Sequence, residues 1–305
     1  MVSPTPQAPK SHDRLRARDR RRAKHSSAEP SDTFTRSFKA LGYLARNGVQ
    51  VSARVTDLAS GAELLSVDDY VVMPTASIGK VLLLIDVAAR LSDDDFAALT
   101  ILDRESDDSV GDSGLWQHLQ APSFPVADLA ALVAATSDNL ATNVLLRLVG
   151  LDAVRQRAES IGLKRLALLD KVRDSRGPDD APHLSVGSMK ELAWLFSALA
   201  RGEVVDQVTS QRVANWLSLN TDLSMVASAF GLDPLAHRGG DHGIHIFNKT
   251  GTDVGVRTDV GAVRGPRAGV AYAVSASFTD SGLPPRLAVL DAMHTIGLDL
   301  VEYVH

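Results

Sequence analysis

Two strand-like ends are separated by a long helical stretch, and this division limits the possible folds more than any other feature of the chain. Val49 to Leu58 alternates Val51, Ala53 and Val55 with Ser52, Arg54 and Thr56, and an apolar run from Ala62 to Val67 returns after Ser60-Gly61. A hairpin is predicted there. Three further strand-like runs, Gly243 to Lys249, Thr258 to Arg264 and Gly269 to Phe278, come only near the other end. From about residue 75 to residue 240 helical patterns dominate: Ser77 to Leu91, Val126 to Thr136, Ser137 to Val149, Leu151 to Ile161, Ser185 to Arg201 and Ser210 to Leu217. Phe34, Phe38, Leu41 and Leu44 mark a first helix capped by Ser31 or Asp32. Leu287, Leu290, Met293, Ile296 and Leu300 mark a last helix, from Pro284 to Val304, opened by prolines that suit a first turn. The simplest architecture is α/β (α+β): a five-stranded antiparallel sheet flanked by the terminal helices over residues 31–75 and 241–305, with an all-helical domain over residues 76–240 inserted between strands two and three. A ligand cleft is expected at their junction.

With 305 residues, 45% of them apolar, the chain can bury a substantial core. The absence of cysteine excludes disulfides, thiolate metal sites and a thiol nucleophile, so covalent catalysis must come from oxygen or nitrogen. Eight Lys/Arg crowd into residues 1–25 against Asp13 and Asp19 although the whole chain carries −5, so the remainder is acidic. This basic run lacks aromatic residues and is flanked by Pro, Ser and Ala, which reads as a disordered, solvated tail over residues 1–30 rather than a nucleic-acid grip. Its arginines are similar to the start of a twin-arginine export signal, but His25 to Asp32 is polar where an apolar segment would follow, so a cytoplasmic location is expected. No apolar run is long enough to span a membrane.

Ser77-Ile78-Gly79-Lys80 stands where Pro74-Thr75-Ala76 gives way to Val81-Leu82-Leu83-Leu84, which places the serine in the first turn of a buried helix. At i, i+3 the lysine amine and the hydroxyl share one face. A serine hydroxyl attacks poorly until a base removes its proton, and a desolvated lysine can be that base. Ser137-Asp138-Asn139 follows at the start of another helix, and Lys249-Thr250-Gly251-Thr252 at the end of a strand. The second lysine would sharpen the positive field, and Gly251 would let backbone and ligand approach closely.

These three motifs resemble the signature of class A β-lactamases and penicillin-recognising serine hydrolases. The resemblance covers about residues 32 to 304 and extends through Thr136 to Asn143 and from Val256 to Gly261. It implies that Ser77 is the acylated nucleophile, Lys80 its base or proton relay, and Ser137 the donor to the leaving nitrogen. Asn139 would contact a substrate amide and help fix Lys80. Lys249 and Thr250 would hold a substrate carboxylate, with Arg257 as a second anchor. The N–H groups of Ser77 and Thr252 would form the oxyanion hole. Gly114-Leu115-Trp116-Gln117-His118-Leu119 is similar to the segment that walls the family's site, although core packing is an alternative role for Trp116.

The pattern departs at one point. Hydrolytic members carry a deacylating Glu on a loop that corresponds here to the neighbourhood of Arg173, yet no Glu occurs between Glu159 and Glu191. Asp170 and Asp174 are the carboxylates left to substitute, and Lys171, Arg173 and Arg176 offer them plain ion pairing. Acylation is therefore expected to survive better than turnover. An esterase or amidase acting on an intracellular metabolite, and a non-catalytic penicillin-recognition module, remain the other readings. His237, Asp241, His242 and His245 fit no standard zinc spacing, so neither metal nor cofactor is expected, and the partner is a small-molecule acyl substrate bound by a monomer.

Overall fold

The computed structural model describes Met1, residues 33–238 and residues 243–305. The expected tail, the caps Ser31 and Asp32, and Asp241 and His242 lie outside these residues. Among the described residues the chain runs α1 (Thr35–Arg46), β1 (Gln50–Asp57), β2 (Glu63–Val67), β3 (Val72–Pro74), α2 (Lys80–Ser92), β4 (Ile101–Asp103), β5 (Ser123–Pro125), α3 (Val126–Thr136), α4 (Asn139–Val149), α5 (Leu151–Ser160), β6 (Ala167–Leu168), β7 (Ser185–Ser188), α6 (Met189–Arg201), α7 (Gln207–Leu217), β8 (His245–Asp253), β9 (Val256–Arg264), β10 (Gly269–Ser277) and α8 (Leu283–Val304). The five long strands form one antiparallel sheet in the order β2-β1-β10-β9-β8, as the separated strand-like ends predict.

Both faces of this sheet are covered. Along β10, Val270, Tyr272, Val274 and Ala276 join the cluster made with α1 and α8, whereas Ala271 and Ala273 join the cluster built around α2 and α6. Alternation with period two therefore feeds two cores from one strand. The small residues of the second face let α6 lie close against β10 and β1.

Three local expectations are corrected. Phe38 is exposed, and the buried residues of α1 are instead Ser37, Leu41 and Leu44, after a buried Phe34 at the N-cap. The cause is Asp299 of α8, fully buried, whose Oδ2 accepts from the Ser37 N–H (2.9 Å) and Ser37 Oγ (2.6 Å) while Oδ1 accepts from Arg36 Nε (2.6 Å). That carboxylate turns the helix so that a serine, not a phenylalanine, faces inward. Ser185 to Ser188 is a strand rather than the start of α6: Ser188 caps the helix by accepting from the Glu191 N–H, and Ser185 pairs toward β6. Ser77 is not within an α-helix, because Ala76–Gly79 forms a 3-10 turn that hands over to α2 at Lys80.

Removing the carboxylate in Asp299→Ala strands a buried N–H and hydroxyl. The variant should lose about 2 kcal/mol of stability in urea unfolding, whereas Asp299→Asn, which keeps an acceptor, should lose less.

Candidate active site

The site is built on the turn that carries Ser77. Ala76 adopts a left-handed backbone conformation (φ 48°), an uncommon and strained state for a residue with a Cβ, so neighbours must hold it. Ser185 does so. Its Oγ lies 2.7 Å from Thr75 Oγ1, donates to the Ala76 carbonyl (2.6 Å) and accepts from the Gly79 N–H (3.2 Å). From the other side β8 presses in at Gly251: a Cβ there would collide with the Thr75 carbonyl oxygen and stand 3.3 Å from Ser77 N. Glycine is required at this position because the strand and the turn are in backbone contact.

The second motif is placed by an equally sharp turn. Ser137, also left-handed (φ 56°), ends α3, and Asp138 caps α4 through the Ala141 N–H (2.9 Å), so α4 starts at Asn139 rather than at Ser137. The other Asp138 oxygen accepts from the N–H groups of Leu115 and Trp116, both at 2.8 Å. Trp116 is 0% exposed, packs edge-on against Phe124 at 5.3 Å and donates from Nε1 to the Ala121 carbonyl. It is a core residue that fixes the segment beside the site. The reading of Trp116 as substrate-binding is thereby corrected.

Lys80 and Lys249, both 0% exposed, converge on Ser137. Lys80 Nζ donates to the Ser137 carbonyl (2.6 Å) and Asn139 Oδ1 (2.7 Å) and lies 3.3 Å from Ser137 Oγ. Lys249 Nζ donates to Ser137 Oγ (3.0 Å) and the Thr250 carbonyl (2.9 Å). Burial, reinforced by the nearby Lys249 charge, pushes the Lys80 amine well below the usual lysine range, and burial lowers Lys249 to about 8. The neutral form of Lys80 is thus easier to reach than that of an exposed lysine. Asn139 Nδ2 donates to the Gly111 carbonyl (3.0 Å), which sets the amide so that its oxygen meets Lys80.

Ser77, Ser137, Thr250 and Thr252 line one cavity of about 280 Å³, together with Ser113, Asn220 and Asp222. A larger cavity of about 480 Å³ opens among α6, α7, β8 and β9 and takes in His237 and His245. None of its lining residues belongs to the three motifs, so size does not identify the reactive site here. Pairing of Lys249 with Val260, Thr250 with Asp259 and Thr252 with Arg257 fixes the third motif across β8 and β9. Arg257 Nη1 donates to the carbonyls of Asp253 and Val256, and the side chain is not part of the cavity wall, which corrects its reading as a substrate anchor.

The sequence model of the β-lactamase enzyme family matches residues 33–304. The chain belongs to that family. It is a serine hydrolase of the β-lactamase type. A β-lactamase from Sphaerobacter thermophilus has the same fold, with 24% identity over 87% of this chain and 95% of that one and a TM-score of 0.76. A point mutant of PBP-A, solved as an acyl-enzyme complex with penicillin G, is 20% identical over 88% of this chain and 96% of that one, TM-score 0.72. A β-lactamase from Xanthomonas campestris pv. campestris is 19% identical over 88% and 98%, TM-score 0.73. No curated protein matches the sequence.

The loop after β6 of this β-lactamase-family member holds Asp170 and Asp174 and no glutamate. Burial alone would raise the Asp170 carboxyl, but hydrogen bonds from Arg173 (2.7 Å), the Lys171 N–H and Arg176 (2.9 Å) outweigh it and hold the group below its ordinary value. A carboxylate so paired is a poor proton acceptor. Asp174 accepts from the Gly111 N–H (2.8 Å) instead, and neither residue lines the cavity, so both readings as a deacylating base are corrected. Asn143, bonded to Val172 through both its carbonyl and its amide, ties the loop to α4.

Ser185, Asp138 as a clamp, and Asp222 are residues whose parts the sequence reading did not assign. Ser185 is hidden by a run that looks helical through Arg201, and Asp222 sits outside any motif.

Replacing Gly251 by Ala should force β8 away from the Ser77 turn. Since displacements near 1 Å at a reacting centre cost on the order of 10²-fold, the acylation rate should fall by about that factor while the circular dichroism spectrum stays native.

Proposed function

We propose that the enzyme is acylated at Ser77 by β-lactams and releases the acyl group slowly. The observation that carries this reading is the Ser137 hydroxyl held between two buried lysine amines, in the same cavity as Ser77.

A neutral amine has two N–H donors and one lone pair. The two short Lys80 bonds, to the Ser137 carbonyl and Asn139, use both donors and leave the lone pair for a hydroxyl proton. Lys80 then takes the Ser77 proton as its oxygen attacks the carbonyl. Ser137, hydrogen-bonded to cationic Lys249, passes a proton to the departing nitrogen as the C–N bond breaks. The Ser77 and Thr252 N–H groups receive the oxyanion, and pressure from Gly251 keeps strand and turn close enough for both to act. The penicillin G acyl-enzyme of the structurally similar PBP-A mutant supports this chemistry on the same scaffold. Release needs a water and a base, and neither carboxylate of the loop after β6, Asp170 or Asp174, lines the cavity. The general-base contribution of about 10²–10⁴-fold that such a loop carboxylate would make to hydrolysis is therefore missing from that loop.

Intact-mass spectrometry after mixing with penicillin G should show one covalent adduct that persists beyond the mixing time and is absent in Ser77→Ala. Rapid turnover without an adduct, or no reaction at all, would overturn the reading.

Acylation should also trace a bell against pH. The rate rises as Lys80 loses its proton, at a pH well below the ordinary lysine value, and declines above about pH 8 as Lys249 loses the charge that supports Ser137. In Lys249→Met the alkaline limb should disappear from stopped-flow acylation profiles.

A further inference from the structure

The larger cavity, of about 480 Å³ among α6, α7, β8 and β9, lies outside the three motifs and has a chemistry of its own. Arg201, Arg238 and Arg264 line it together with His237 and His245, and no Asp or Glu is among the described residues of its wall. Such a concentration of cations runs against the rest of a chain whose net charge is −5. The two histidines that fit no zinc spacing thus stand among guanidinium groups, where a metal cation is repelled and an anion attracted.

Strand alternation builds one side of this cavity. His245 and Phe247 lie two apart on β8, and their partners across the ladder on β9 are Arg264 and Ala262, so all four share one face of the sheet. Phe247 is fixed there by stacking on Phe196 of α6, with ring centroids 5.8 Å apart and planes at 17°. Leu199 of α6 joins it in the cavity wall and completes an apolar side.

The cationic side is also built. Arg264 Nη2 donates to the carbonyl of Ala200 (3.1 Å), one residue before Arg201, which ties the guanidinium to the end of α6. Glu203 pairs with Arg201 at 2.8 Å and offsets its charge. Neither Arg238 nor Arg264 makes an ion pair among the described residues, so these two guanidinium groups are the ones whose charge is uncompensated. Gln207, Gln211 and Asn215 of α7 add amide groups to the same wall.

We propose that this cavity binds a phosphate monoester of an aromatic group, with the phosphate held by Arg238 and Arg264 and the ring on the apolar side formed with Phe247. The planar guanidinium fork matches phosphate oxygens, and a charge near −2 calls for more than one arginine. The volume lies in the range of about 300–1,000 Å³ typical of small-molecule pockets, and apolar lining with a few convergent polar groups is their usual make-up. Binding here is independent of acylation at Ser77.

Calorimetric titration of the full chain with phenyl phosphate, at low salt and about pH 7.5 where the phosphate is mostly a dianion, tests this. One site should be filled. Arg238→Gln and Arg264→Gln, the second of which keeps a donor for the Ala200 carbonyl, should each weaken binding by about tenfold or more, as loss of a charge-assisted contact predicts. Inorganic phosphate, which lacks the ring, and phenylacetate, which carries a single charge, should each bind at least about tenfold more weakly than phenyl phosphate. Thr252→Ala, a change in the reactive cavity, should leave the affinity for phenyl phosphate as it is. Absence of binding, equal affinity for inorganic phosphate or phenylacetate, or an affinity that survives both arginine substitutions would overturn the proposal. So would an affinity lost in folded Thr252→Ala, because the phosphate would then sit beside Ser77.

Discussion

Two lysine amines buried around the Ser137 hydroxyl are the constraint from which the site follows. Each buried ammonium carries a desolvation penalty of several kcal/mol unless it is hydrogen-bonded or gives up its proton. The protein does both. Carbonyl, amide and hydroxyl oxygens accept from Lys80 and Lys249, and the amines are shifted toward neutrality. The desolvation that would destabilise a charged lysine here shifts both amines toward the neutral form.

Meeting that requirement explains the surrounding architecture. Lys80 comes from α2, Ser137 and Asn139 from the junction of α3 and α4, and Lys249 from β8. Left-handed turns at Ala76 and Ser137 bring Ser77 and Ser137 to a shared cavity; Ser185 Oγ donates to the Ala76 carbonyl and Lys80 Nζ to the Ser137 carbonyl. No buried side-chain nitrogen or oxygen among the described residues lacks a partner. The cost of burying charge at the reacting centre is therefore met by hydrogen bonds rather than left as unpaired groups.

Below the sheet face that carries Lys249, Asp259 is fully buried and its carboxyl is raised to about 7, chiefly by burial, while Asn248, Tyr272 and Val226 N–H all bond to it. It links β8, β9, β10 and the turn after residue 225. The chain from Asp259 through Asn248 and Asn220 to the Asp222 turn shows that the substrate-facing wall is set from within the core rather than by surface loops.

The sequence alone determined the five-stranded sheet, the three motifs and the missing loop glutamate, because periodicity and residue identity are local properties; it did not show the short strands β4, β5, β6 and β7 within the stretch expected to be all-helical. Helix ends were legible to within a few residues where side chains cap them. Tertiary structure alone decided that Phe38 faces outward, that Ser185 supports the Ser77 turn, that Trp116 belongs to the core, that Asp170 is paired with two arginines and that Asp222 lines the cavity. Each of these depends on a partner tens to hundreds of positions away or on the course of a turn. No window of sequence contains the distance between two groups that meet only when the sheet closes around α2.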